Sequence, residues 1–336
     1  MRIALDAMGG DIAPAQNIGG AKLALAAYPH ITKLYLVGKE DALKTEMARE
    51  KLSDPRIEIV PADEVIYMFE SAVKGVRKKK NSSINVAVDL VKRGDAQAVV
   101  SAGHTGAAVV SSTLKLRTLE GVERAGIACP MPNIHGSCHL LDGGANVDSR
   151  PVHLFHYAIM GAIYRKHVLG VENPVIGLLS NGEEEGKGNE LTNTTAELLK
   201  SSRLHFRGNV EGRDVFLTTL DVAVCDGFVG NVFLKGAEGL AKAMFGLIKD
   251  EASRHWRYKI GGWLVRPAIK KVQARGSYEE VGGSPLLGVN GITIIAHGSS
   301  SPLAIKNAIR AACDAVSHSI NPRIEEEIAR YLPATR

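Results

Sequence analysis

Six short segments of this 336-residue chain set glycine beside side chains that can hold a charged ligand. They are Met8-Gly9-Gly10-Asp11, Ser101-Ala102-Gly103-His104-Thr105-Gly106, Asp142-Gly143-Gly144-Ala145-Asn146-Val147-Asp148, Ser180-Asn181-Gly182, Asp226-Gly227-Phe228-Val229-Gly230-Asn231 and His297-Gly298-Ser299-Ser300. Glycine lets backbone N–H groups approach a ligand closely, and a helix N-terminus behind the loop adds partial positive charge. One such loop only turns the chain; six with polar neighbours predict a polyanionic ligand. Lys187 is a lone cation in a glycine-rich loop behind Glu183, Glu184 and Glu185, which either place it or cap the next helix. Asn231 opens a long helical stretch, where it can serve as an N-cap.

Standard fingerprints are missing. There is no GxGxxG, no GxSxG and no HExxH. Gly182 to Gly188 resembles a phosphate-binding P-loop, but its spacing is one residue short and Gly188 stands where Ser or Thr would bind magnesium. Cys129, His135, Cys138 and His139 are ligand types at a spacing that fits no zinc pattern, so no metal and no cofactor is expected.

The elements that must position these loops follow from the hydrophobic pattern. Short apolar runs at 3–5, 34–37, 57–60, 96–101, 138–141, 175–179, 222–225 and 292–296 alternate with longer amphipathic stretches. Buried parallel strands followed by helices read this way, so the fold class is α/β with a mostly parallel sheet. Ligands then bind beyond the carboxyl ends of the strands, where the glycines stand. Gly is 35 of 336 residues, above the usual level of about 7%. Four cysteines without a CxxC pair predict a reducing compartment. The start, Met1-Arg2-Ile3-Ala4-Leu5-Asp6, reads as a first strand rather than a signal peptide. With no apolar run of 18 residues, no membrane span is expected.

The segments Ile3 to Asp11, Ser101 to Ala107, Gly144 to Asp148, Leu179 to Asn189, Cys225 to Asn231 and Gly282 to Gly291 together resemble the bacterial phosphate acyltransferases, in order along nearly the whole chain. These enzymes make acyl phosphate from acyl-carrier-protein and inorganic phosphate. The resemblance implies a Rossmann-like three-layer α/β/α fold, like isopropylmalate dehydrogenases and phosphotransacetylases. It implies a cytoplasmic homodimer working at the inner membrane surface in phospholipid synthesis, with a membrane acyl-phosphate:glycerol-phosphate acyltransferase as a further partner. It places the family's catalytic lysine and asparagine on Lys187 and Asn231. Candidate phosphate and substrate contacts are Asp6, Gly9, Gly10, Asp11, Gly103, His104, Thr105, Gly106, Asn146, Asp148, Asn181, Gly230 and His297. His104 departs from the family pattern, which has Asn there. The implied chemistry suits these residues. Phosphate is already anionic and a thiol leaves readily, with a pKa near ~8.5, so the site must hold phosphate and stabilise an oxyanion.

Charge is not evenly spread. The formal net charge is +5, yet 252–278 carries Arg254, Arg257, Lys259, Arg266, Lys270, Lys271 and Arg275 and no acid. Removing that segment leaves the remainder at −2, slightly acidic. Both tryptophans lie in it, beside the Gly261-Gly262 pair, which predicts a helical hairpin protruding from a single domain of residues 1–336. Trp256, Ile260, Trp263 and Leu264 are candidate contacts with an anionic membrane, and a solvated arm or dimer contact is the alternative. The aromatics cluster rather than interleave along a groove, so nucleic acid is not expected as a partner. A second basic run, Lys74, Arg77, Lys78, Lys79 and Lys80, is either a solvated helix face or a dock for the acidic carrier protein. The competing functions are a decarboxylating dehydrogenase, whose nicotinamide and metal motifs are missing, a short-chain phosphotransacetylase using acyl-coenzyme A, and a non-enzymatic membrane-surface acyl binder.

Overall fold

The computed structural model describes residues 1–275 and 282–331. The first part of the chain runs β1 (Arg2–Asp6), α1 (Ala15–Ala27), β2 (Lys33–Gly38), α2 (Glu40–Arg49), β3 (Ile57–Pro61), α3 (Ala72–Lys78), α4 (Ser83–Lys92), β4 (Ala98–Ser101) and α5 (Thr105–Leu116). The chain then crosses into β5 (Gly126–Ile127), β6 (Cys129–Asn133), β7 (Gly136–Leu141), α6 (Pro151–His167), β8 (Ile176–Leu179), α7 (Glu190–Lys200), β9 (Phe206–Val210), α8 (Asp214–Leu217) and β10 (Val222–Val224). It ends with α9 (Gly227–Arg254), α10 (Trp256–Arg275), β11 (Ser284–Leu287), β12 (Ile292–Ile295), α11 (Pro302–Ser317) and α12 (Ile320–Ala329).

Among the described residues the strands form two sheets rather than one. The first runs β3-β2-β1-β4-β12-β11-β5, the second β6-β7-β10-β8-β9. Most pairings are parallel; β11 is antiparallel to β12 and β5, and β6 is antiparallel to β7. The second sheet is nested in the first, because the chain leaves after β5 and returns at β11 and β12. The strands without a sequence signal are short or lie at edges. β6 carries Pro130 and Pro132, which cannot donate to a ladder and belong at an edge. β9 carries Arg207, Gly208 and Asn209 and is the other edge.

Alternation along the strands builds the layers. Ile3, Leu5, Val100 and Ile294 face α1 and α11, while Ala4, Val99 and Ile295 face α4 and α5. The latter cluster continues through Ile127, Cys138, Leu140 and Ala223 into the second sheet, so one apolar core joins the two sheets. The second sheet's other face packs Leu141, Ile176, Val222 and Val224 on α6 and α12. The result is a three-layer α/β/α arrangement with the glycine loops at the carboxyl ends of the strands.

The arm differs from expectation. The chain breaks at His255, whose backbone is extended at φ −133 and ψ 143, and Gly261-Gly262 lies inside α10. A glycine in a helix interior costs only about 1 kcal/mol, so the pair alone does not stop a helix that its flanks favour. The arm therefore begins within α9 rather than at residue 252. Residues 276–278 of the expected segment lie outside the described residues.

Close approach of α1 and α11 yields the first prediction. A methyl at Gly20 would sit 2.5 Å from Ile305 Cγ2. Gly20→Ala gains about 0.5–1 kcal/mol of helix preference but overpacks a buried contact, at about 1–3 kcal/mol. The substitution should lower the urea midpoint, although alanine is the better helix former.

Candidate functional site

The strand order sorts the six glycine loops into two groups of three. β1, β4 and β12 are neighbours, so the loops at 8–11, 101–106 and 297–300 meet. Gly9 lies so close to Gly103 that an added Cβ would be 2.6 Å from its N. Asp11 N donates to Gly298 O at 2.8 Å. In the second sheet β7, β10 and β8 are neighbours and carry the loops at 142–148, 226–231 and 180–189.

Part of each group meets across a cavity of 180 Å³, which the loops at 8–11 and 180–189 do not line. Thr105 and His297 line it from the first sheet, Gly143 from the second, and Asn231, Lys235 and Glu238 from α9. Across the first turns of α9 lies a second cavity of 610 Å³. Its polar rim is Ser180, Asn181, Asn189, Thr192 and Asp226; Leu179, Phe228, Val229, Val232 and Phe233 form an apolar wall. Two helices begin at this cavity. Asn189 caps α7 by accepting from Thr192 N at 3.0 Å, and Asp226 caps α9 by accepting from Phe228 N and Val229 N at 2.9 Å. Their N-termini bias it toward negative charge.

Asp142 was not singled out by sequence, yet it organises the second group. Its carboxylate is fully buried. Oδ1 accepts from Ile127 N, Gly144 N and Ala145 N at 2.9–3.0 Å, and Oδ2 accepts from Asn146 N at 2.8 Å. Burial pushes this carboxyl above the ordinary range, and the backbone donors pull against that shift. The first turn of α9 lies directly on this turn. A Cβ at Gly227 would be 2.5 Å from Asn146 O, and one at Gly230 would overlap Asp142 O. Gly144, at φ +131, packs against Asn231 Cβ. The available signal was positional: Asp142 directly follows its strand and precedes a Gly-Gly pair, and Asp6 ends β1 just ahead of Ala7-Met8-Gly9-Gly10. Lys235 was also missed; it stands one helical turn beyond Asn231 and shares its cavity.

The other candidate residues fall as follows. Asp6 is buried at the end of β1, accepts from Ser101 Oγ at 2.7 Å, and is pushed up by burial. His104 caps α5. Its Nδ1 accepts from Ala107 N at 3.4 Å, and its Nε2 lies 3.1 Å from Glu70 O, so Nε2 carries the proton and donates. Asn146 spends its side-chain N–H groups on Ala125 O and Tyr157 OH. Asp11 and Asp148 are exposed, and Gly106 packs against Ala72. Asn231 is not an N-cap: Asp226 fills that position. Lys187 is exposed and its stem lies against Gly182. Of the preceding glutamates, Glu184 holds its backbone, the carbonyl oxygen accepting from Lys187 N at 3.2 Å, and none caps α7. Glu183 pairs with Arg213 at 3.3 Å, Glu185 pairs with Lys200, and Asn189 is the cap.

The cysteine and histidine cluster lies in the core instead. Burial pushes the Cys129 and Cys138 thiols up to about 12 and the His139 imidazole down to about 3, while His135 is exposed. Cys225, on the larger cavity, is likewise pushed well up. Among the described residues no group of three or more His, Cys, Asp or Glu is placed to hold a metal ion. Neither cavity therefore contains a thiolate ready to act as nucleophile.

The fold is that of the phosphotransacetylases. A phosphotransacetylase from Streptococcus pyogenes aligns over 94% of each chain with a TM-score of 0.63 at 16% identity. A branched-chain phosphotransacylase from Enterococcus faecalis covers 94% of this chain and 99% of its own at 0.57 and 15% identity. Sequence reaches further than this shared architecture. The family model described as fatty acid synthesis protein matches residues 1–323. A phosphate acyltransferase of Akkermansia muciniphila is 52% identical over 98% of this chain and 96% of its own length. One from Pelotomaculum thermopropionicum is 49% identical over 98% and 95%. The chain belongs to the phosphate acyltransferase family, a family of acyltransferase enzymes.

The Asp142 network makes a quantitative demand. Asp142→Ala leaves four buried backbone N–H groups without their acceptor, each costing about 1–3 kcal/mol before relaxation. Unfolding free energy measured in urea should drop by several times the loss in Asp142→Asn, which keeps an oxygen at the Oδ1 position. Equal losses would show that the turn does not depend on the carboxylate.

Proposed function

We propose that the enzyme transfers a long-chain fatty acyl group reversibly between acyl-carrier-protein thioester and inorganic phosphate, giving acyl phosphate for glycerophospholipid synthesis. The observation that carries this reading is the meeting of glycine loops from both sheets at one cleft, Thr105 and His297 from the first and Gly143 from the second, with Asn231 and Lys235 on α9 between them. Phosphate is a nucleophile without activation, and such a site supplies what its reaction lacks: fixed N–H donors, a cation and oriented helix ends. The apolar wall of the larger cavity suits the acyl end of the thioester, and its polar rim suits the reacting carbonyl. Asn231 donates to the oxyanion, and Lys187, on a long flexible stem at the loop beside Gly188 and Asn189, offsets the developing charge. The glycine loops, with Asp6, Asp11, Thr105, Asn181 and His297, shape the phosphate subsite, and His104 serves it by capping α5. The chain acts as one catalytic unit, which the shared core supports.

Lys187→Ala should reduce acyl-phosphate formation from long-chain acyl-carrier-protein and phosphate by about 10²-fold or more while circular dichroism stays unchanged. Wild-type turnover in this variant would reject the assignment.

The same reading places the enzyme, as a homodimer, against the inner face of the membrane, where the acyl phosphate passes to a membrane acyl-phosphate:glycerol-phosphate acyltransferase. Support comes from the arm. Among the described residues no helix is long and apolar enough to cross a membrane, yet Trp256, Ile260, Trp263 and Leu264 are all more than half exposed beside Arg257 and Lys259. Leu240, Met244, Leu247 and Ile248 on α9 are exposed as well, which supports self-association. Trp263→Glu should lower co-sedimentation with anionic vesicles severalfold; undiminished binding would reject the lipid contact.

A further inference from the structure

A second exposed surface lies beside the cleft. Residues 67–69 are Tyr, Met and Phe, and all three are exposed, Phe69 at 87%. The loop is built to hold them there. Tyr67 and Phe69 stack at 5.6 Å with planes 3° apart, Lys79 sits 5.3 Å from the Tyr67 ring centre, and Lys79 pairs with Glu70 at 2.6 Å. Burying one such ring recovers about 1.5–3 kcal/mol, so a stacked aromatic ridge held in water is a surface awaiting cover.

Behind the ridge runs α3. Lys74, Arg77 and Lys78 stand at i, i+3 and i+4, so they share one helical face. All three are exposed and enter no ion pair among the described residues, unlike Lys79. The surface is anchored to the catalytic cleft. Glu70 O accepts from His104 Nε2, and Ala72 packs on Gly106, so the patch adjoins the start of α5, where Thr105 lines the cavity.

We infer that Tyr67, Met68, Phe69, Lys74, Arg77 and Lys78 form the docking face for an acidic carrier protein that presents carboxylates along a helix, delivering its thioester arm to the cleft at Thr105. The inference rests on the proposed function for the partner's identity. Charge complementarity supplies the choice: three unpaired cations on one helix face match acids at the same spacing. The adjoining cleft explains why a partner tethered to its substrate docks there. Charges of this kind govern encounter and are screened by salt, while the aromatic ridge supplies the buried contact.

The experiment compares wild type with Arg77→Glu/Lys78→Glu and, separately, Phe69→Ser. Fluorescence anisotropy of labelled acyl-carrier-protein measures binding, and acyl-phosphate formation measures turnover. Both variants should weaken carrier binding about tenfold or more and raise its KM to match, leaving kcat and the KM for phosphate unchanged. Added salt should weaken wild-type binding and leave the charge-reversed variant little affected. Unchanged carrier affinity in both variants overturns the inference. So does a fall in kcat at constant carrier KM, or a loss of binding to anionic vesicles with carrier affinity intact, which would make this face a lipid contact. Wild type that binds carrier through this face but forms no acyl phosphate would uphold the dock and reject the functional reading. Wild type that does not bind the carrier rejects the dock.

Discussion

The buried Asp142 carboxylate is the contact on which the rest of the site depends. A carboxylate out of water must be met by donors, and here the donors are consecutive backbone N–H groups of its own turn. That arrangement curls residues 142–146 into one shape and leaves their backbone oxygens flat against α9. Only glycine at 227 and 230 lets the helix come so near. The contact therefore sets where α9 begins and how it is rotated. Rotation decides that Asn231 and Lys235 look toward the first sheet while Val229 and Val232 line the other cavity. The exposed arm is the same helix carried outward, so its direction is set at the same place.

The two groups of loops share the work through geometry more than through reactive side chains. The thiols are buried and held protonated, and the histidine at 104 is committed to a cap and a carbonyl. The two cavities otherwise offer backbone N–H groups, helix ends, hydroxyls, amides, Lys235, Glu238 and His297. In the reaction proposed, the N–H groups, amides and cation would position and stabilise charge, which is the demand that an anionic nucleophile and a good leaving group make. His104, where the resemblance leads to an expectation of asparagine, is understandable in the same terms. Its Nδ1 accepts at the N-cap as an asparagine oxygen would, and its ring nitrogen opposite ties α5 to the loop before α3.

Much of the fold was legible because buried parallel strands leave short apolar runs and their ends leave glycines. Eight such runs became strands close to their expected limits. β5, β6, β9 and β11 were not legible: they are short, carry proline or glycine, or lie at sheet edges where polar residues are tolerated. Splitting into two sheets was hidden for the same reason, since β5, β6 and β11 stand where the chain crosses between them. The bend of the arm was misplaced because a glycine pair only weakens a helix, while the actual break at His255 has no special residue type.

By itself the sequence determined the α/β class, the six loops, the lone Lys187 and the concentration of cations in the arm. These are local properties, written in composition and periodicity over a few residues. The tertiary structure decided which loops share a cavity, because Gly9, Gly103 and Gly298 become neighbours only through the order of β1, β4 and β12. It also decided the roles of Asp142 and Lys235. A carboxylate becomes a structural pin only when burial removes its water, and a lysine joins an asparagine only when a helix is rotated to bring both to one face. Burial and rotation are set by packing between segments some eighty residues apart, which no short stretch of sequence records.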